Sequence, residues 1–187
     1  MPYFTASDTL VKAVPADTAV YAIIKATLTD PHLYENTKPT RFCSITLTEI
    51  RYSPDFDILI KKKLASVNDT IGFNAADSTH YQLDWARVGG RKGILVKEVV
   101  SGFNGLIHSG VLEPSQDHFR LHRAYLRYFQ CNVLACVSYP RLNRRSDLAV
   151  IEIGESFDLN MSGSCFYFLK KRGGKWKLIY TERLWVS

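Results

Sequence analysis

A chain of 187 residues, 46% hydrophobic and 12% aromatic, is long enough to bury its own core without metal or disulfide staples and too apolar to stay disordered. Its formal charge of +6 and pI near 9.1 suit plain solubility and permit an acidic partner without requiring one. No apolar run is long enough for a membrane-spanning helix, and the N-terminus, Met1-Pro2-Tyr3-Phe4-Thr5, lacks the basic and apolar regions of a signal peptide. Read as it stands the chain is cytoplasmic by default; an exported protein would have lost a leader before Met1.

No internal repeat, low-complexity stretch or linker divides the sequence, so a single domain over 1–187 is expected, with 1–16 as an irregular arm. Asp17 then reads as an N-cap. Val20, Ile23, Ile24, Thr27 and Leu28 follow at helical spacing, and the helix should stop before Pro31. Residues 41–50 alternate, with Cys43, Ile45 and Leu47 on one side, and predict a half-buried strand.

Ser53-Pro54-Asp55 reads as a helix start, followed by a stripe of Phe56, Leu59, Ile60, Leu64 and Val67. Lys61, Lys62 and Lys63 sit toward the end of that helix, where the dipole favours cations; this is a better reading than a nucleic-acid patch. Residues 68–80 read as a polar loop. Tyr81, Leu83 and Trp85 alternate as a strand, and 89–93 (Gly-Gly-Arg-Lys-Gly) read as a turn, without the order of a phosphate-binding loop. Residues 94–100 fit a strand or a short helix equally.

Ser115 caps a predicted amphipathic helix over about 116–129. Arg120, Arg123 and Arg127 fall on one face, with Leu121, His122, Tyr125, Leu126 and Phe129 roughly opposite. The C-terminal third has four strand-like runs, 132–139, 148–153, 164–170 and 175–186, separated by short polar or glycine-containing turns. Such spacing pairs neighbours antiparallel. In the last run Trp176, Leu178 and Tyr180 share one parity while Arg183 and Trp185 have the other. The strand is therefore either buried on both sides or bulged near 181–183. The expected fold is α+β: helices on one face of a curved antiparallel sheet that ends in a four-strand meander.

Chemistry-bearing patterns are few. His118 and His122, four apart, share a helix face, which is metal-ligand geometry, but the apolar side they occupy makes core or boundary histidines the better reading. No metal or cofactor is assigned. Arg120, Arg123 and Arg127, with Arg141, Arg144 and Arg145, would bind anions if they converged; a solvated helix face plus a polar turn is the simpler account. Ser162-Gly163-Ser164 is not a nucleophile elbow. Cys43, Cys131, Cys136 and Cys165 form no CxxC pair, and their even number fits two disulfides or four thiols. None of them reads as part of a catalytic dyad.

The strand pair from Ser138-Tyr139-Pro140-Arg141-Leu142-Asn143 to 148–153 resembles a loose group of small bacterial α+β proteins of uncharacterised function. So do Gly163, Cys165, Tyr167, Leu169 and Lys171 at alternate positions, Gly174-Lys175-Trp176-Lys177, and the terminal Leu184-Trp185-Val186-Ser187. Val20-Tyr21-Ala22-Ile23-Ile24 and Leu47-Thr48-Glu49 look like that group's first helix and next strand. A Gly-Lys-Trp-Lys hairpin also occurs in NTF2-like and cystatin-like folds. The resemblance implies a fold and a bacterial origin, and brings no catalytic residue with it.

These patterns favour a non-catalytic binding or protein-interaction domain, with a small ligand or a homo-oligomer also compatible. The alternative is a small enzyme or ligand-binding protein with its site in the hollow of the sheet. His118, His122, Tyr125, Asp84 and Glu152 would then be its first acid–base candidates. A third reading is a weak binder of anionic partners through the Arg120, Arg123 and Arg127 face.

Overall fold

Long alternating runs in the C-terminal third build the centre of the molecule. In the computed structural model, which describes residues 12–13, 18–28, 42–47, 53–73, 81–88, 92–94, 130, 133–157 and 162–186, nine strands, two α-helices and two short 3-10 turns are defined among those residues. The strands are β1 (Lys12–Ala13), β2 (Phe42–Leu47), β3 (Tyr81–Gln82), β4 (Lys92–Ile94), β5 (Val133–Ser138), β6 (Arg141–Leu142), β7 (Leu148–Phe157), β8 (Ser162–Arg172) and β9 (Lys175–Val186). The helices are α1 (Thr18–Leu28) and α2 (Asp57–Lys61).

The fold is α+β. Strands β5, β7, β8 and β9 are adjacent and antiparallel, and β6 adds a short antiparallel pairing to β7. Gly173 and Gly174, both at positive φ, close the β8–β9 hairpin, as a two-residue primed turn requires. Beyond β5 the sheet continues in parallel: β2 pairs with β5 from Phe42↔Val133 to Leu47↔Ser138, and β4 pairs with β2. Lys92 and Gly93 thus belong to a strand rather than the expected turn. A separate parallel contact joins β1 to β3.

Alternation in β7 and β8 divides the core into two. Ala149, Ile151, Ile153, Tyr167 and Leu169 join α1 residues Val20, Tyr21, Ile23, Ile24 and Leu28 in one cluster, with Leu83, Trp85 and Trp176. Leu148, Val150, Phe166 and Phe168 point the other way, onto Leu59 of α2. The stripe predicted for α1 is the buried one, with Tyr21 added to it. The second helix takes the opposite face of the sheet, because β7 and β8 are apolar on both sides and each face needs a cover.

The last strand shifts phase earlier than expected. Leu169 pairs with Leu178 and Phe168 with Tyr180, leaving Ile179 as a bulge; a second shift leaves out Leu184. The first shift puts Trp176 and Leu178 on the α1 side and Tyr180 on the α2 side.

Two elements are shorter than their periodicity suggests. The strand expected over 81–85 stops at Gln82, because Asp84 caps a 3-10 turn at Trp85–Arg87 by accepting from the Ala86 amide at 3.1 Å. Leu83 and Trp85 are buried all the same. Helix α2 starts after Phe56 rather than at Ser53, with the Asp57 amide donating to Asp55 Oδ1 at 2.9 Å. It ends at Lys61 and is capped by Lys62, and the next residue, Lys63, has a φ of 57°. Leu64 N donates to Leu59 O at 2.8 Å and Lys63 N to Ile60 O at 2.9 Å, the paired bonds of a Schellman cap. Leu59 and Leu64 both pack in the second core, which supplies that cap's hydrophobic contact. Val67, the last residue of the predicted stripe, is left outside the helix and outside the core.

Candidate functional site

His118, His122, Tyr125, Arg120, Arg123 and Arg127 lie outside the described residues. Among the other candidates, Asp84 is exposed and holds the 3-10 turn. Its amide donates to Tyr21 Oη at 3.1 Å, and the Arg87 guanidinium stacks 3.9 Å from the centre of the Tyr21 ring. This arrangement fastens the turn to α1.

Glu152 is 2% exposed and shares the β7 parity of Leu148 and Val150, so it lies on the α2 side of the sheet. Its Oε1 accepts from Ser164 Oγ at 3.0 Å, and its amide donates to Ser138 Oγ at 2.8 Å. Both serines are buried. Ser164 is thus a hydrogen-bond donor to a buried carboxylate. Cys136 and Cys165 are not disulfide-bonded. Cys165 packs against the α1-side core, whereas Cys136 alternates with Ala135 and Val137 of that core and so faces away from it. Among the described residues no three His, Cys, Asp or Glu side chains group closely enough to hold a metal ion, and no helix is long and apolar enough to cross a membrane.

The segment 66–73 has the least ordinary distribution of polarity. Its acid is inside: Asp69 is 7% exposed. Lys170 Nζ lies 3.1 Å from Asp69 Oδ2, Arg145 Nη1 lies 3.4 Å from Oδ1, and the Ser66 amide donates to Oδ2 at 2.8 Å. The Ser66 amide and, next, the Lys170 ammonium hold this carboxyl below the usual aspartate range, against the opposing effect of burial. Asn143 Nδ2 donates to the Asp69 carbonyl at 2.9 Å. Phe73 stacks on Phe56 with ring centres 4.3 Å apart, and Phe56 meets Phe168 edge-on at 5.9 Å. The segment is therefore fastened at both ends to the sheet and to the β6–β7 turn.

Its aliphatic side chains point outward. Val67 is 59% and Ile71 57% exposed, the large hydrophobic residues most open to solvent among those described. A Cβ placed at Gly72 would lie 3.3 Å from Arg144 Cβ, so Arg144 abuts the segment, while the Arg145 side chain is 61% exposed beyond its contact with Asp69. Comparisons with family models, with curated proteins and with solved structures find no match to this chain.

Spacing alone offered some hints of this region. Ser66 and Asp69 are three apart, as in a capping box, and Asn143 stands where a turn residue is expected. Nothing in the pattern separates Val67 from the helical stripe before it.

Glu182 is a second unusual carboxylate. Glu152 and Glu182 both sit opposite Phe166 in the register, from strands on either side of it. Glu182 Oε2 is buried with no hydrogen-bond partner among the described residues. Burial raises this carboxyl above its usual range; the Asp55 amide opposes that, and the Asp55 charge adds to it.

Proposed function

We propose that this chain is a non-catalytic protein-interaction domain that presents segment 66–72 to a partner. The observation that carries the reading is the inverted polarity of that segment, which buries Asp69 and exposes Val67 and Ile71. Buried charge and exposed large aliphatics are the informative departures from ordinary partitioning. Here they occur in one stretch held by Asn143 at the Asp69 carbonyl, by Lys170 at the Asp69 carboxylate and by the Phe56–Phe73 stack next to it. A rigid apolar tip loses little entropy on docking. The faces of the sheet at β7 and β8 are filled by the two apolar clusters, which also favours a surface role over a site in the hollow.

The test is site-specific photo-crosslinking from position 67, compared with a probe at exposed Lys177, in lysate of the source cell. The reading expects a discrete adduct from position 67 only, competed away by excess wild-type protein and not by a Val67→Ser/Ile71→Ser variant. Identical adducts from both positions would refute it.

The buried Glu152 favours the second reading, a ligand-binding protein or small enzyme. A buried carboxylate that accepts from a serine hydroxyl on a sheet face is a group that a bound polar molecule would use. A small-molecule thermal-shift screen on wild type and Glu152→Gln tests it: stabilisation of wild type alone supports a ligand at Glu152, and none in either removes it.

A further inference from the structure

The exposed pair Val67 and Ile71 does not stand in neutral surroundings. Segment 58–73 contains one acid, Asp69, and it is buried against Lys170. The adjoining turn contains Asp147, whose Oδ1 accepts from Asn143 Nδ2 at 2.8 Å. The cations of both stretches stay in solvent: Lys61, Lys62 and Lys63 on one, Arg144 and Arg145 on the other are all exposed. The acids of these two stretches are thus engaged internally, while Arg144 and Arg145 face outward beside the segment that bears the two aliphatic side chains.

We infer that the partner docking on segment 66–72 is an acidic polypeptide segment carrying large apolar side chains. This rests on the interaction reading above and specifies its partner. Apolar groups would cover Val67 and Ile71, and carboxylates flanking them would meet Arg144 and Arg145, whose planar guanidinium forks match carboxylate geometry. A purely electrostatic partner such as a nucleic acid would gain nothing from the aliphatic pair. An uncharged apolar partner would make no use of the exposed guanidinium groups, of which Arg145 reaches Asp69 at 3.4 Å with its side chain still 61% exposed. Association should be steered by the positive rim and weaken as salt rises.

The experiment is selection of a random peptide library displayed on phage against the full chain, with synthetic versions of the enriched peptides measured by fluorescence anisotropy. Two variants serve as comparisons, Val67→Ser/Ile71→Ser and Arg144→Gln/Arg145→Gln, each checked for cooperative thermal unfolding; the second gives up the 3.4 Å contact of Arg145 with Asp69, so it should melt somewhat lower but still fold, because Lys170 keeps Asp69 paired. The expected result is enrichment of peptides with Asp or Glu beside Leu, Ile, Phe or Trp. Their affinity should drop about tenfold or more in either variant, and it should fall with added salt. Enriched apolar peptides without acids, sensitive to Val67 and Ile71 but not to the arginines, would overturn the acidic partner and leave the interaction reading standing. Peptides insensitive to Val67 and Ile71 would overturn both. Retention of poly(dT) that depends on Arg144 and Arg145 would assign the surface to nucleic acid instead. Concentration-dependent self-association abolished by Val67→Ser/Ile71→Ser would assign it to a second copy of the chain.

Discussion

The side-chain amide of Asn143 donates to the main-chain carbonyl of Asp69 across 2.9 Å, joining residues 74 positions apart. The same Asn143 carbonyl oxygen accepts from the Asp147 and Leu148 amides at 3.0 and 3.1 Å. One buried side chain thus closes the β6–β7 turn and secures the segment that bears Val67 and Ile71. Asn143→Ala would leave a buried carbonyl and a buried amide unpaired, each worth about 1–3 kcal/mol. The expected loss is about 3 kcal/mol, read as a lower urea midpoint at unchanged slope. A loss under about 1 kcal/mol would show that the turn closes without this residue.

Asp69 makes the acid side of stability testable. Its carboxyl is held below the usual aspartate range in the folded protein, so the stabilisation it confers is complete above the unfolded value near pH 4. That stabilisation is lost as pH falls through the folded value. Asp69→Asn should cost about 2 kcal/mol at neutral pH, less than a fully enclosed pair because Lys170 keeps partial solvent contact. It should also flatten the decline of the urea midpoint below about pH 4. Equal slopes for variant and wild type in that range would remove Asp69 from the acid transition.

Glu182 has the opposite sign. Its folded carboxyl is raised by burial, so its contribution is most favourable below the ordinary glutamate value near 4.3 and is lost as pH rises through the folded value. Glu182→Gln keeps an acceptor for the Asp55 amide and removes the buried charge. The variant should be more stable than wild type at pH 7, with the gap closing at pH 4. Guanidinium melts at the two pH values check this, and a gap that widens at low pH would contradict it.

Lys63 occupies the left-handed position of the Schellman cap, where a side chain costs about 1 kcal/mol relative to glycine. Lys63→Gly should raise stability by about that amount and leave the exposed face of α2 otherwise unchanged. Lys63→Val, β-branched at the same φ, should lower the melting temperature. Thermal unfolding of the pair measures both signs.

Where one element's own pattern carried the information, the sequence was sufficient. The α1 stripe, the four C-terminal strands and the Gly173-Gly174 hairpin all follow from periodicity and turn chemistry that act over a few residues. The tertiary structure decided what depends on distant partners. The parallel pairing of β2 with β5 has no turn to announce it, since parallel neighbours are joined through long connections. Val67 continues the helical period of Phe56, Leu59, Ile60 and Leu64, yet it faces solvent, because a Schellman cap with Lys63 in the left-handed position closes α2 after Lys61 and Asp69 is drawn inward by Lys170, Arg145 and Asn143. The sign of burial in a short segment is set by whichever contacts outweigh its local preference. For 66–72 those contacts come from β8 and the β6–β7 turn, far along the chain.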